Sequence, residues 1–239
     1  MATLYGSDLA RIHDEAFGDL AEHAAAFVVD LLRRRGIESG RVLDLGCGAG
    51  QLAAALDKQG YDVWGADVSG PMLARARARV PGATFVQGSI TQVPLPECAA
   101  AMAVGEVLNY LPRRADAGRV FRRVHRALRP GGFFVFDVAG PGRAGPTGER
   151  TVTRVSDDWS VVARTRELSR GRLERMITTF TRDGKAWRRS KERHVQLLYE
   201  PGALARQLRR AGFRVVVQRG YGGFRLGHGA AVLIARKPA

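Results

Sequence analysis

The spacing of apolar positions changes character twice along the chain. Residues 7–35 carry a helical stripe through Phe17, Leu20, Ala24, Phe27, Val28 and Leu31, with charged residues between, and Gly36 stops it. Beyond Gly40, short apolar runs alternate with helix-period segments. These are "RVLDL", a helix over 51–59, "YDVWGAD", a helix over 70–79, "ATFVQG", "AMAVG", a helix near 114–128, and "FFVFDV" after "LRPGG" as a stop and turn. Such alternation predicts a parallel sheet covered on both faces.

After the glycine- and proline-rich connector 140–149 the period falls to two. "WSVVARTREL", "RLERMITTFT" and "KAWRRSKERHVQLLY" read as strands separated by "SRG" and "RDG". Asp183-Gly184 is a hairpin signal, because both residue types tolerate positive φ. A helix over 201–211, the strand "FRVVVQ", a glycine-rich stretch over 220–229 and the strand "AAVLIAR" close the chain. The last two strands are joined by about a dozen residues without helical period, too few for a parallel crossover, so they are expected to pair antiparallel. The chain therefore reads as one α/β domain over 1–239, with a helical cap at 1–36 and an antiparallel β-meander inserted at 150–200.

Composition narrows this picture modestly. The 239 residues are 45% hydrophobic and 26% charged, ordinary globular values. The start has no apolar run of signal-peptide type, and no stretch has the roughly 20 apolar residues of a membrane helix. Two cysteines, Cys47 and Cys98, form no metal-type pair, so a reduced, cytoplasmic protein with no bound metal is expected. The formal charge of +15 invites a nucleic-acid partner. Its arginines, however, recur at i, i+3, i+4 spacing on nearly every predicted helix instead of converging on one, the pattern of solvated faces.

The stretch "VLDLGCGAGQLA" carries the chemistry. A strand breaks into Gly46-Cys47-Gly48-Ala49-Gly50 and re-enters a helix, offering free N–H groups and close backbone approach. A nicotinamide fingerprint would space its third glycine one place later. Asp44 stands two residues before the first glycine, a poor neighbour for a pyrophosphate and a reasonable one for an ammonium group. Asp67 ends the second strand, where a carboxylate can accept both ribose hydroxyls; Val68 and Met72 could flank an adenine.

In that order, "VLDLGCGAG", "VWGADVSGPMLARAR", "ATFVQGSI", "AVGEVLNYL" and "LRPGGFFVFD" resemble the class I S-adenosylmethionine-dependent methyltransferases. The resemblance implies a Rossmann-like seven-stranded sheet with an antiparallel last strand, and S-adenosyl-L-methionine as cofactor. It places Asp44, Gly46, Cys47 and Gly48 at the methionine end, Asp67 at the ribose, and Gly88, Ser89 and Ile90 beside the adenine. Gly105 and Glu106 fall beside the transferable methyl, and Tyr5 is placed as an N-terminal tyrosine closing over the cofactor. Two positions depart from the family pattern, with Ser89 where an acid is frequent, and Cys98-Ala99 where an aromatic and an aspartate open the fourth strand.

The meander resembles the roof of small-molecule members such as the aminosugar N-methyltransferases, and implies transfer to N or O of a small metabolite. Relatives with this roof are often dimers, so a homodimer is an open expectation. Glu106 and Asp137 are the candidate bases, and Tyr110 with Asn109 would orient the acceptor. For Asp137 a turn-capping role, and for Tyr110 core packing, stand beside these readings. His194 is the one histidine placed on a roof strand. Rival readings are a nicotinamide oxidoreductase on the same sheet type and a basic nucleic-acid-binding module on a cofactor fold.

Overall fold

The computed structural model describes residues 4–239. The N-terminal stripe divides into two helices, α1 (Ser7–Ala16) and α2 (Asp19–Arg34), in place of the single helix expected over 7–35. The two bury their apolar sides against different partners. Leu9 and Ile12 of α1 pack with Trp159, Val161 and Ile177, whereas Ala24, Val28 and Leu32 of α2 join the core beside Leu52 and Leu56. One straight helix cannot face both, and the chain breaks at Phe17-Gly18.

β1 (Arg41–Leu45), α3 (Gln51–Asp57), β2 (Asp62–Asp67), α4 (Gly70–Arg79), β3 (Thr84–Gln87) and β4 (Cys98–Ala103) follow. A 3₁₀ turn (Val107–Tyr110), α5 (Arg114–Ala127) and β5 (Leu128–Ala139) complete the first half. "LRPGG" is not the pure turn expected from its proline and glycines. Leu128 already pairs with Cys98, and the ladder resumes at Ala100 opposite Phe133, so residues 129–132 form a bulge within β5.

The meander has four strands, one more than expected: β6 (Glu149–Val155), β7 (Trp159–Leu168), β8 (Arg172–Asp183) and β9 (Ala186–Leu197). β6 escapes notice because it is an edge strand exposed along nearly its whole length, with no apolar face to set a period. Gly184-Lys185 is the two-residue turn between β8 and β9, and only Gly184 of the pair has positive φ (60°). α6 (Pro201–Arg210), β10 (Arg214–Gln218), the short hairpin β11 (Gly220–Tyr221) and β12 (Phe224–Arg225), and β13 (Ala230–Arg236) end the chain.

The main sheet has the order β10-β13-β5-β4-β1-β2-β3. β1 to β5 run parallel, and β13 is antiparallel to both β5 and β10, as the short connection requires. One face buries Leu43, Leu45, Phe121, Phe134 and Phe136, and the other Val42, Leu73, Met102, Phe133 and Val135. The meander forms a separate sheet whose inward face meets α1, so α1 is a strap between roof and main sheet.

Candidate active site

Strand order reverses between β1 and β4, and open α/β sheets bind ligands in the crevice outside such a point. Here β1 gives way to the glycine turn, with positive φ at Gly46, Gly48 and Gly50 (77°, 53° and 77°). The glycines answer different needs. A Cβ at Gly46 would stand 2.5 Å from Val107, and one at Gly50 3.0 Å from the Ala76 backbone, but one at Gly48 would meet nothing within 4 Å. Packing fixes the outer two, while Gly48 borders open space. Gly48→Ala is therefore expected to lose about 1–2 kcal/mol of stability from left-handed strain alone and to bind cofactor more weakly. Gly50→Ala adds a backbone clash and should lose more, which thermal melts paired with ligand titration will resolve.

Asp44, the last residue but one of β1, is almost fully buried (2% exposed), and its Oδ2 has no hydrogen-bond partner. Burial, reinforced by the Asp67 charge, pushes its carboxyl up to about 7. Asp67 is tied at both oxygens, accepting from the Gly48 amide at 2.9 Å and the Ser69 amide at 2.8 Å, and burial raises its pKa as well. A carboxylate has about four lone-pair sites, so capacity for two hydroxyls remains. An orphaned acid, an open glycine and a second acid on the next strand suit an adenosine cofactor that brings an ammonium group and a ribose diol. S-adenosylmethionine fits these residues.

The other expected contacts divide. Cys47, Met72 and Ile90 are buried in apolar clusters, so their side chains are core, whatever their backbones touch. Val68 is exposed beside the end of β2. Gly88 is needed because a Cβ there would press on Val93 at 2.6 Å, and the Ser89 hydroxyl is engaged with Thr91 at 2.8 Å. Tyr5, at φ 53°, is pinned on both sides: its carbonyl accepts from the Ser69 hydroxyl at 2.8 Å and its amide donates to Glu192 at 2.8 Å. The strap thus joins the N-terminus of α4 to the roof.

The two candidate bases sit in very different surroundings. Asp137 accepts from the Gly105 and Glu106 amides at 2.8 Å each and from the Tyr221 hydroxyl at 2.7 Å. Burial nevertheless raises its pKa to about 6. Those three donors occupy it as an anchor for the chain leaving β4, where Glu106 takes the left-handed conformation (φ 61°). Burial would push the Glu106 carboxyl up, but Arg175 at 2.7 Å and Arg143 at 2.6 Å hold it down to about 2. A carboxyl so acidic is a poor proton acceptor at neutral pH. Asn109 is fully buried and joins Ala139 of β5 to Leu197 of β9, which makes it a structural tie.

Tyr110 stands apart from core packing. Its hydroxyl lies 3.0 Å from His194 Nδ1 and 3.4 Å from the Tyr5 hydroxyl. Arg143, Arg175, Glu192 and Gln196 complete this end of the crevice, and no motif announced them. The signal was present in β9: Glu192, His194 and Gln196 alternate, so they share one strand face. Among the described residues no group of three His, Cys, Asp or Glu is placed to hold a metal ion, and no helix is long and apolar enough to cross a membrane.

The sheet order and the two-acid cradle define an adenosine-cofactor enzyme of the Rossmann-like type. Residues 43–136 match the family described as "Methyltransferase domain". A Geobacillus sp. (strain WCH70) relative named as a methyltransferase is 30% identical over 206 residues, covering 80% of this chain and 81% of its own. The dTDP-3-amino-3,4,6-trideoxy-alpha-D-glucopyranose N,N-dimethyltransferase of Streptomyces venezuelae is 28% identical over 219 residues, covering 89% and 92%. The crystal structure of an S-adenosylmethionine-dependent methyltransferase from Clostridium acetobutylicum superposes with a TM-score of 0.84 at 18% identity, over 96% and 98% of the two chains. The chain belongs to the S-adenosylmethionine-dependent methyltransferases.

Proposed function

We propose that this methyltransferase acts on an amine or hydroxyl of a small metabolite held between the crevice and the β6–β9 roof. The observation that carries the cofactor half is the orphaned Asp44 oxygen beside the open Gly48 and Asp67. The acceptor half is supported by the roof, whose inward face turns Arg175, His194 and Gln196 toward Glu106 and Tyr110. It is also supported by the Streptomyces relative, which is named for an aminosugar nucleotide. Bound S-adenosylmethionine supplies an electrophilic sulfonium methyl. The protein's own task is to align a lone pair, exclude water and take away any proton the acceptor must lose.

Nucleic acid is not part of this reading. Some of the arginines are engaged with acids of the chain. Arg75 and Arg79 pair with Asp14, Arg166 and Arg193 with Glu174, Arg143 and Arg175 with Glu106, and Arg188 with Asp8 and Asp183.

Calorimetric titration with S-adenosylmethionine, its demethylated product and NAD tests the cofactor half. The sulfonium compound and its product should bind and NAD give no heat. Asp67→Ala should weaken binding about 10-fold or more, since a hydrogen bond to a charged group is worth about 1.5–3 kcal/mol. Heat from NAD alone would overturn the assignment. A panel of aminosugar nucleotides, amino acids and phenols then seeks the acceptor.

A further inference from the structure

We infer that Tyr110, His194 and Glu192 form a proton relay that carries the acceptor's proton from the crevice to solvent, a role that rests on the methyl-transfer reading above. Tyr110 Oη lies 3.0 Å from His194 Nδ1, and His194 Nε2 lies 2.9 Å from Glu192 Oε2. His194 is wholly enclosed, so its ring nitrogens face these two partners and not water. The Glu192 carboxylate accepts only, which places the imidazole proton on Nε2 and leaves Nδ1 as an acceptor. The Tyr110 O–H then points at Nδ1, and the acceptor must take the place of the Tyr5 hydroxyl, which lies 3.4 Å from the phenol oxygen. This is the hydroxyl–imidazole–carboxylate order of the serine-hydrolase triad, with a phenol in first place.

The proton balance is simple. As the acceptor N–H or O–H bond breaks, its proton passes to the Tyr110 oxygen. The former Tyr110 proton moves to His194 Nδ1, the Nε2 proton of the transient imidazolium passes to Glu192 Oε2, and Glu192 releases it to water. The exit lies beyond Glu192, where Gly6, Ser7, Asp8, Arg188, Ser190 and Glu192 border a cavity of about 340 Å³. The relay assigns an acceptor class, namely primary or secondary amines and hydroxyls, which have a proton to surrender. Thioethers and tertiary amines would leave it idle.

The charged and titratable groups around His194 come from every neighbouring element. They are Tyr5 and His13 from the strap, Tyr110 and Glu106 from the chain after β4, Arg175 from β8, and Glu192 from its own strand. Glu106 and Arg175 neutralise each other, and burial drives the His13 pKa down to about 4, so it is uncharged at neutral pH. Glu192 is the one free-standing acid in direct contact with the imidazole. It also accepts from the Tyr5 and Gly6 amides, which ties relay and strap together.

The test reads the imidazole directly. In protein labelled with ¹⁵N-histidine, with His194 assigned by loss of its signals in His194→Gln, the ring should be a single tautomer protonated on Nε2. Tyr110→Phe should keep that tautomer and shift the Nδ1 resonance as its hydrogen bond disappears. With a 3-aminosugar nucleotide as probe, Tyr110→Phe should lower kcat about 100-fold, the lower range of general-base contributions, with cofactor affinity within twofold. A proton on Nδ1, or kcat within threefold of the native enzyme, overturns the relay. Should the probe not turn over, the wild-type tautomer decides alone. Loss of S-adenosylmethionine binding by the native protein would instead sink the methyl-transfer reading, and the tautomer would stand apart from it.

Discussion

Asp44→Asn is expected to make the empty protein more stable at pH 8 while stripping it of cofactor affinity. The acid is buried with an unpartnered oxygen, and its pKa rises from 3.8 to about 7. Between those values the native state holds a proton that the unfolded chain has released, so stability falls as pH rises through that window. At 1.36 kcal/mol per pH unit, the full effect is at most about 4 kcal/mol. Asparagine never ionises and escapes that loss, though it leaves a buried amide short of a partner at about 1–3 kcal/mol. The net gain at pH 8 should be about 1–2 kcal/mol, a rise of several degrees in Tm for a chain of this size. The gain should shrink as pH falls through the window and vanish, or reverse, toward pH 3, where the acid is protonated in both states.

Cofactor binding reverses the balance. An ammonium group beside Asp44 favours the carboxylate, so near neutral pH binding should release a proton and weaken as pH falls. Losing the charged bond in Asp44→Asn should cost about 1.5–3 kcal/mol, roughly 10- to 150-fold in Kd. Calorimetry in buffers of different ionisation enthalpy measures the proton, and melts at pH 5 and 8 measure the stability change. Equal destabilisation at both pH values would mean that Asp44 is not a strained acid awaiting a ligand.

The cradle was legible because a short local stretch encodes it. Asp44, the three glycines and Asp67 lie on one β–turn–α–β unit, and α4 runs over the same residues, 70–79, as its pattern implied. The acceptor end was not legible, because its partners are far apart in the chain. Glu106 meets Arg143 from the glycine-proline connector and Arg175 from β8, and Asp137 meets Tyr221 from a two-residue strand. Nothing near Glu106 or Asp137 in sequence reveals that these carboxylates are already engaged. Glu106 therefore looked like a free base, and for Asp137 the sequence offered a base or a turn cap without naming its partners. The split of the first helix failed for a similar reason: the apolar stripe reports that a face is buried, not that its two halves face different sheets. Periodicity did better where one face met one partner, as in β13, which spans 230–236 as its apolar run suggested.

Arg175→Met is expected to be among the most destabilising single changes at this end of the site, and its partner should rescue part of the loss. Arg175 is largely buried, and although burial works against its charge, Glu106, Tyr110 and Tyr5 raise its pKa. Removing it leaves Glu106 with Arg143 alone in a buried setting, and breaking such a pair costs about 3–5 kcal/mol. The pH signature follows from Glu106, whose native pKa of about 2 lies below the ordinary 4.5. In the native protein this acid contributes stability above pH 4.5 that is lost as pH falls toward 2. In the variant, burial is no longer fully opposed and the Glu106 pKa rises, so the deficit should be large at pH 7 and shrink toward pH 4. Glu106→Gln in the Arg175→Met background removes the stranded charge, while Arg143 keeps a neutral partner. The double variant should recover about 1–3 kcal/mol relative to Arg175→Met, the coupling expected of residues in contact. Denaturant unfolding of the four proteins in the cycle at pH 7 and pH 4 gives both numbers. An additive cycle would show that Arg175 is held by the roof and not by Glu106.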